Sequence, residues 1–189
     1  MKPLPWPIAP SILCWACAIW LGMVPAHAQG LATPADPHQV VEQLMRQDLV
    51  DEAMAKIKDH LGQRPRDPQM RFWQAMLLTR QGQRAQAMQV YTDLTQDFPE
   101  LAEPHNNLGV LQAANLELDL AQRSFELALR ADPNHALAHE NLADVLLRQA
   151  QRHYQKASQI QAATKRPSPV LAQKMQLLPP LLKLSTPTP

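Results

Sequence analysis

The chain has 189 residues, of which 46% are hydrophobic, with 18 Lys and Arg against 17 Asp and Glu. These values fit one domain of ordinary core content plus some additional sequence, and a formal net charge of +1 excludes a strongly basic, nucleic-acid-binding surface over the whole chain. Five glycines leave no room for a Gly-rich phosphate-binding loop.

The first 28 residues have the layout of a secretory signal peptide. Lys2 precedes an apolar run over residues 12–24, and Ala26-His27-Ala28 places small side chains ahead of Gln29. We expect cleavage after Ala28 and therefore a periplasmic or secreted bacterial protein. The alternative is an inner-membrane anchor through uncleaved residues 8–24, but the 13-residue apolar run is short against the roughly 20 residues that a bilayer requires.

Cleavage at this point would also remove both cysteines, Cys14 and Cys17. The remaining 161 residues carry equal numbers of acidic and basic side chains and no thiol. Disulfides, thiol catalysis and thiolate metal sites are then excluded, and any charged binding surface must be local.

The next part of the chain repeats with a period of 34 residues. A small residue, a bulky apolar residue four positions later and a proline eight positions after that recur in three successive units. This spacing places the small and bulky residues on one helix face, with a helix-stopping proline beyond them. The three columns are Ala53, Ala87 and Ala121; Ile57, Tyr91 and Phe125; and Pro65, Pro99 and Pro133.

The third unit, residues 102–135, resembles the tetratricopeptide repeat in the following residues: Leu108, Gly109, Ala121, Phe125, Ala128 and Pro133. The resemblance implies an all-α solenoid of about three helix hairpins, with small residues where helices cross and aromatic residues between hairpins. After a short linker over residues 29–36, we expect the repeat domain at residues 37–163. Its units are 34–67, 68–101, 102–135 and a degenerate unit, 136–163.

The degenerate unit departs from the period. Its second-helix residues Ala150, Tyr154 and Ala157 come five positions early, so the turn is missing. Since no Gly or Pro lies between residues 137 and 166, we expect one long helix over 136–163 that caps the array.

The last segment, residues 164–189, is rich in proline and is expected to be largely disordered. An apolar string over residues 170–182 is the exception. It leaves three possibilities open: the tail folds back into the groove of the repeats, packs onto the last helix or stays solvated.

Neither a catalytic nor a metal site is expected. His135 and His139 have helical i, i+4 spacing, but they span the junction of two units and lack a carboxylate to complete a ligand set. Ser124 and Ser158 have no placed base. We therefore expect a protein that is not an enzyme and that has no cofactor.

The resemblance implies that the first helix of each unit lines a concave groove for a bound peptide. Amides such as Asn107 and Asn141 would suit peptide backbone, because each both donates and accepts hydrogen bonds. No lysine stands at the slots that bind the terminal carboxylate of chaperone tails in this family, so an apolar segment with a basic residue is the better expected partner. The expected groove residues are Phe72, Met76, Glu103, Asn106, Asn107, Val110, Glu140, Asn141, Asp144 and Arg148.

The sequence thus predicts a protein–protein interaction adaptor of the bacterial cell envelope that binds a peptide or helix of another envelope protein. The alternative is an assembly factor, similar to pilotins or cytochrome-maturation accessories, that acts through convex or edge surfaces. The identity of the partner and the oligomeric state are open.

Overall fold

A computed structural model describes residues 36–184. The expected signal peptide and the end of the tail lie outside these residues. The described residues form eight α-helices and no strand, in agreement with the predicted all-α solenoid. The helices are α1 (Pro37–Arg46), α2 (Val50–Gln63), α3 (Pro68–Arg80), α4 (Arg84–Asp97), α5 (Ala102–Ala114), α6 (Leu118–Ala131), α7 (Ala136–Ala163) and α8 (Pro169–Leu184).

The 34-residue period is visible in the backbone as well as in the sequence. The second helices of the three complete hairpins begin at Val50, Arg84 and Leu118. In the turn before each of these helices, one residue adopts the left-handed backbone conformation, and these residues are also 34 positions apart. They are Asp48 at φ 60°, Gly82 at φ 74° and Leu116 at φ 64°. Only glycine adopts this conformation without a steric cost, so the turn geometry comes from the repeat and is imposed on Leu116.

Consecutive helices pack against one another along the array, and α5 also contacts α7. The three small residues of the first column, Ala53, Ala87 and Ala121, are fully buried. A Cβ added at Gly109 would lie 2.6 Å from Cε1 of Phe125, so the α5–α6 crossing requires a residue without a side chain. The repeat columns therefore set how closely the helices approach.

The predicted capping helix is confirmed. Helix α7 runs without interruption from Ala136 to Ala163 and packs against α5, α6 and α8. The missing turn leaves Ala150 inside this helix, and Gln155 and Gln159 are exposed on its surface.

The prediction of a largely disordered tail is wrong for residues 169–184, which form helix α8 against α7. Ser168 accepts a hydrogen bond from the N–H of Leu171 at 3.3 Å, and Pro169 occupies the first turn, where its missing N–H has no intrahelical partner to lose. Leu171 and Leu178 are buried, and Lys174 Nζ lies 5.7 Å from the centre of the Tyr154 ring. Of the three possibilities for the apolar string, packing onto the last helix is the one observed.

Candidate partner-binding groove

The first helices of the second and third units border a cavity of about 550 Å³. We call it the first-helix groove. Most of its lining comes from α3 and α5, with one residue from α4 and two from the start of α7. The lining residues are Phe72, Met76, Thr79, Arg80, Tyr91, Glu103, Asn106, Asn107, Val110, Leu111, His135 and Leu137.

The walls of the groove are largely apolar. Phe72, Met76 and Val110 are each partly exposed, although they belong to residue types that usually become buried. The Phe72 ring meets the Tyr91 ring edge-on, with centroids 6.0 Å apart. Partly exposed apolar side chains grouped in one concave surface are typical of a binding site.

A chain of side-chain hydrogen bonds forms the polar part of the groove. Asn141 Nδ2 donates to Asn106 Oδ1 at 2.9 Å, Asn106 Nδ2 donates to Asn107 Oδ1 at 3.2 Å, and Asn107 Nδ2 donates to the Tyr91 hydroxyl at 3.1 Å. The chain therefore links α7, α5 and α4, and it fixes the orientation of each amide.

Tyr91 is buried and extends this chain to Thr79 of α3. Burial raises the pKa of the Tyr91 phenol to about 12, although hydrogen bonds with Asn107 and Thr79 act in the opposite direction. The phenol stays protonated at any physiological pH, so the polar network carries no charge of its own.

Charge in the groove comes from its exposed members. Glu103, in the first turn of α5, is exposed. Arg80 donates to the Asp48 carboxylate at 2.5 Å, so its charge is already paired. His135 uses Nδ1 to accept the N–H of Ala138 and thereby caps α7. The carboxylate of Glu103 therefore gives the groove local negative character.

Six of the ten predicted groove residues line this cavity: Phe72, Met76, Glu103, Asn106, Asn107 and Val110. The other four belong to α7 and are not among the lining residues. Glu140 is exposed, Asp144 and Arg148 are half-buried, and Asn141 is 1% exposed.

The amides differ most from expectation. Asn106, Asn107 and Asn141 are 2%, 7% and 1% exposed and hydrogen-bond to one another, because α7 packs against α5. They form a buried hydrogen-bonded chain, of which Asn106 and Asn107 reach the cavity wall. The sequence analysis did not include the Tyr91 hydroxyl among the groove residues. It could have been found because tyrosine brings a hydroxyl group into a repeat column that Ile57 and Phe125 otherwise fill.

The two histidines weighed as metal ligands have other partners. His135 caps α7, and His139 Nε2 contacts the Pro133 carbonyl oxygen at 3.1 Å. His105 makes the equivalent contact with Pro99 at 3.2 Å, one period earlier. A different group, His38, His60 and Asp67, brings three potential ligand atoms within 4.8 Å of one another.

A second cavity, of about 580 Å³, lies on another face of the array, between α2, α3 and α4. Its lining is rich in glutamine and includes Asp51 and Lys58. It shares none of its lining residues with the first-helix groove.

Three solved structures with a similar arrangement of helices contain tetratricopeptide repeats. The first tetratricopeptide-repeat domain of Spaghetti (RPAP3), bound to the HSP90 peptide SRMEEVD, has a TM-score of 0.57 and 18% identity over 60% of this chain and 90% of that chain. The first such domain of human RPAP3 gives 0.57 and 18% over 62% and 92%. A tetratricopeptide-repeat protein from Parabacteroides merdae gives 0.53 and 18% over 75% and 56%.

No protein-family model and no curated protein matches the chain. The structural likenesses, together with the 34-residue period, define the class: the chain is a tetratricopeptide-repeat-like protein, as its sequence predicted. At 18% identity they establish the fold alone.

Proposed function

We propose that this protein is a non-enzymatic adaptor that binds a peptide or helix of a partner protein in the first-helix groove. The observation that carries the proposal is the groove itself, in which partly exposed Phe72, Met76 and Val110 stand beside the exposed carboxylate of Glu103. An amphipathic segment laid into an apolar groove is a recurrent mode of peptide recognition.

The chemistry of the groove favours an apolar segment that carries a basic residue. Glu103 is exposed in the groove, and Glu140 is exposed on the neighbouring helix α7, whereas the charge of Arg80 is paired with Asp48. A basic group on the partner would therefore meet uncompensated negative charge. The acidic end of SRMEEVD, the peptide bound by the first repeat domain of Spaghetti, would meet like charge.

A fluorescence-anisotropy titration with three labelled peptides tests this proposal. The first is a short Leu- and Val-rich peptide with a central lysine, the second has glutamate in place of that lysine, and the third is SRMEEVD. We expect measurable binding by the first peptide only. Equal binding by the lysine and glutamate peptides would remove the charge argument, and tightest binding by SRMEEVD would contradict the proposed partner chemistry.

Charge reversal in the groove provides a matched pair of variants. Glu103→Lys should weaken the lysine peptide about 10-fold or more, which corresponds to about 1.4 kcal/mol. Glu126→Lys makes the same change at an exposed position of α6 that does not line the groove, and it should leave affinity within about twofold. If both variants lose affinity alike, the peptide does not bind in the groove.

We further propose that the adaptor works in the bacterial cell envelope. The support is the sequence of residues 1–28, with Ala26-His27-Ala28 as the cleavage site. No helix within residues 36–184 has the length and hydrophobicity needed to cross a bilayer. Mass spectrometry of the protein from its own cells should find Gln29 at the N-terminus; retention of Met1 or Lys2 would favour the anchored alternative.

The second candidate is an assembly factor that acts through another surface. The cavity between α2, α3 and α4 is the observation that favours it, because its many amide side chains could hydrogen-bond a partner. If the partner binds in this second cavity, Lys58→Glu should weaken its binding there and leave peptide binding in the first-helix groove unchanged.

A further inference from the structure

Three helix ends meet where the first unit joins the second. His38 lies in the first turn of α1, His60 in the last turn of α2, and Asp67 is the N-cap of α3. The two imidazoles pack edge-on with ring centroids 5.3 Å apart, and the Trp73 ring lies 6.0 Å from His38. We call His38, His60 and Asp67 the His–His–Asp cluster.

The ligand atoms of this cluster converge. His38 Nε2 and His60 Nε2 each lie 2.9 Å from the same oxygen, Oδ2 of Asp67. One ligand atom from each residue falls within 4.8 Å of the other two. Bonds of about 2.0–2.1 Å to a tetrahedral Zn²⁺ place ligand atoms about 3.3 Å apart. The two contacts at 2.9 Å would lengthen by a few tenths of an ångström around the ion, and the two imidazole nitrogens, within 4.8 Å of each other, would complete the triangle of ligand atoms.

The His38 ring lies between two carboxylates. A neutral imidazole has one N–H, yet both ring nitrogens of His38 face carboxylate oxygens: Nδ1 lies 3.2 Å from Asp36 Oδ1, and Nε2 lies 2.9 Å from Asp67 Oδ2. When Nδ1–H donates to Asp36, Nε2 presents a lone pair to an anionic oxygen. In that tautomer a metal ion between Nε2 and Asp67 Oδ2 would be a ligand-bridging partner for both atoms.

The surroundings match those of a metal site rather than of a surface ion pair. The side chains of His60, Asp67 and His38 are 7%, 13% and 33% exposed, so His60 is buried, Asp67 is mostly covered and His38 is partly open to solvent. Asp67 Oδ1 accepts the N–H of Met70 at 3.0 Å, which holds the carboxylate with Oδ2 turned toward the imidazoles. Asp36 orients His38 through its other ring nitrogen, as carboxylates commonly do behind metal-bound histidines.

We infer that the His–His–Asp cluster is a Zn²⁺ site that ties the first helix hairpin to the second repeat. Two imidazoles and one carboxylate suit zinc, whereas Ca²⁺ and Mg²⁺ prefer ligand sets made of oxygen alone. Three protein ligands leave a fourth position, on the exposed side of His38, for water. The bound ion would link α1, α2 and α3 at one point.

Zinc titration of the full chain tests this inference. The protein is prepared without a polyhistidine tag and carries Cys14→Ser and Cys17→Ser, which removes every thiolate ligand. Competition with a chromophoric chelator should show one Zn²⁺ per chain. Melting temperature should rise by about 5–10 °C when free Zn²⁺ exceeds the dissociation constant 100-fold. Co²⁺ in place of zinc should give the visible absorption bands of a tetrahedral complex.

Matched variants separate the cluster from other sites. His38→Gln and Asp67→Asn should each weaken Zn²⁺ at least about 100-fold, and Asp36→Asn should weaken it about 10- to 100-fold. Asparagine still caps a helix, so Asp67→Asn keeps the cap of α3. His139→Gln removes a histidine outside the cluster and should change nothing.

Two results would overturn the inference. If the protein with all three ligand residues intact binds no Zn²⁺ and its melting temperature does not rise, the three side chains form only a hydrogen-bonded group. If His38→Gln and Asp67→Asn bind Zn²⁺ as tightly as the parent chain, the ion binds elsewhere. Should His60→Gln, at a buried position, fail to fold, the more exposed His38→Gln still gives a decisive answer.

Discussion

Adding one methyl group at Gly109 tests whether the repeat register sets the spacing of the helices. An alanine Cβ at this position would lie 2.6, 2.9 and 2.9 Å from three atoms of the Phe125 ring. That ring is fully buried, so moving it away from the added methyl group would also disturb the core residues around it. Gly62, in α2, provides the matched control, because a Cβ there meets no atom within 4 Å.

The two substitutions differ in packing but share the gain in helix propensity. Gly62→Ala should stabilise the protein by about 0.5–1 kcal/mol, since glycine loses more conformational freedom than alanine in a helix. Gly109→Ala receives the same gain but adds a methyl group to a filled crossing, at a cost of about 1–3 kcal/mol. The difference between the variants should therefore be about 1–3 kcal/mol in unfolding free energy.

Urea unfolding followed by circular dichroism measures both values, and a double-mutant cycle assigns the cause. In a Phe125→Leu background, the penalty of Gly109→Ala should shrink, because the clashing ring atoms are gone. Equal stability of Gly109→Ala and Gly62→Ala would refute the packing argument. A penalty that persists in full beside Leu at position 125 would show that its source is not the Phe125 ring.

Three other predictions concern the turn, the amide chain and a histidine. Leu116→Gly should raise unfolding free energy by about 1 kcal/mol, because Leu116 is exposed and held at positive φ; an unchanged urea midpoint would contradict this. Asn141→Ala should cost about 1–3 kcal/mol by leaving Asn106 Oδ1 without its donor, and a change below about 0.5 kcal/mol would show that the buried chain is dispensable. Burial is the main cause that lowers the pKa of His105 below its usual 6.5, and it outweighs the opposite effect of the Pro99 hydrogen bond. The neutral form of His105 therefore stabilises the fold above about pH 6.5, and this contribution is lost as the pH falls below that value. His105→Gln should flatten this part of the stability–pH curve, and an unaltered slope between about pH 7 and pH 5 would refute the assignment.

The local and periodic features were readable from the sequence. Columns of small, bulky and proline residues predicted the hairpins, and the early position of Ala150, Tyr154 and Ala157 predicted the continuous α7. These features depend on helix periodicity and on the absence of a turn residue, which are properties of neighbouring residues. The same logic could have found the left-handed turn at Leu116, which lies one period after Gly82.

Contacts between units were harder to predict, because they depend on residues that do not recur. The column of His60 continues as Leu94 and Ala128, and the slot of Asp67 continues as Leu101 and His135. Nothing in the repeat pattern connects these two columns chemically. Their contact appears only when the end of α2 and the start of α3 are placed together.

The predicted groove residues of α3 and α5 line one cavity, whereas those of α7 do not line it. A residue's position within the repeat pattern indicates the helix face on which it lies, but it does not indicate how closely the next helix packs against that face. Contact between α5 and α7 buries Asn106 and Asn141, whereas Glu103 remains exposed. The tail was misread because its prolines were taken to exclude a helix, whereas Pro169 lies in the first turn of α8 and Pro179 and Pro180 lie within it.

Site-specific photo-crosslinking in intact cells tests the central claim most directly. A photoreactive phenylalanine analogue replaces Met76 in the first-helix groove, Gln89 in the cavity between α2, α3 and α4, or Gln155 on the exposed side of α7. Groove binding predicts a discrete adduct with an envelope protein from position 76, absent from the other two positions and reduced by Glu103→Lys. An adduct from position 89 alone, or a position-76 adduct that Glu103→Lys leaves unchanged, would contradict binding in the first-helix groove.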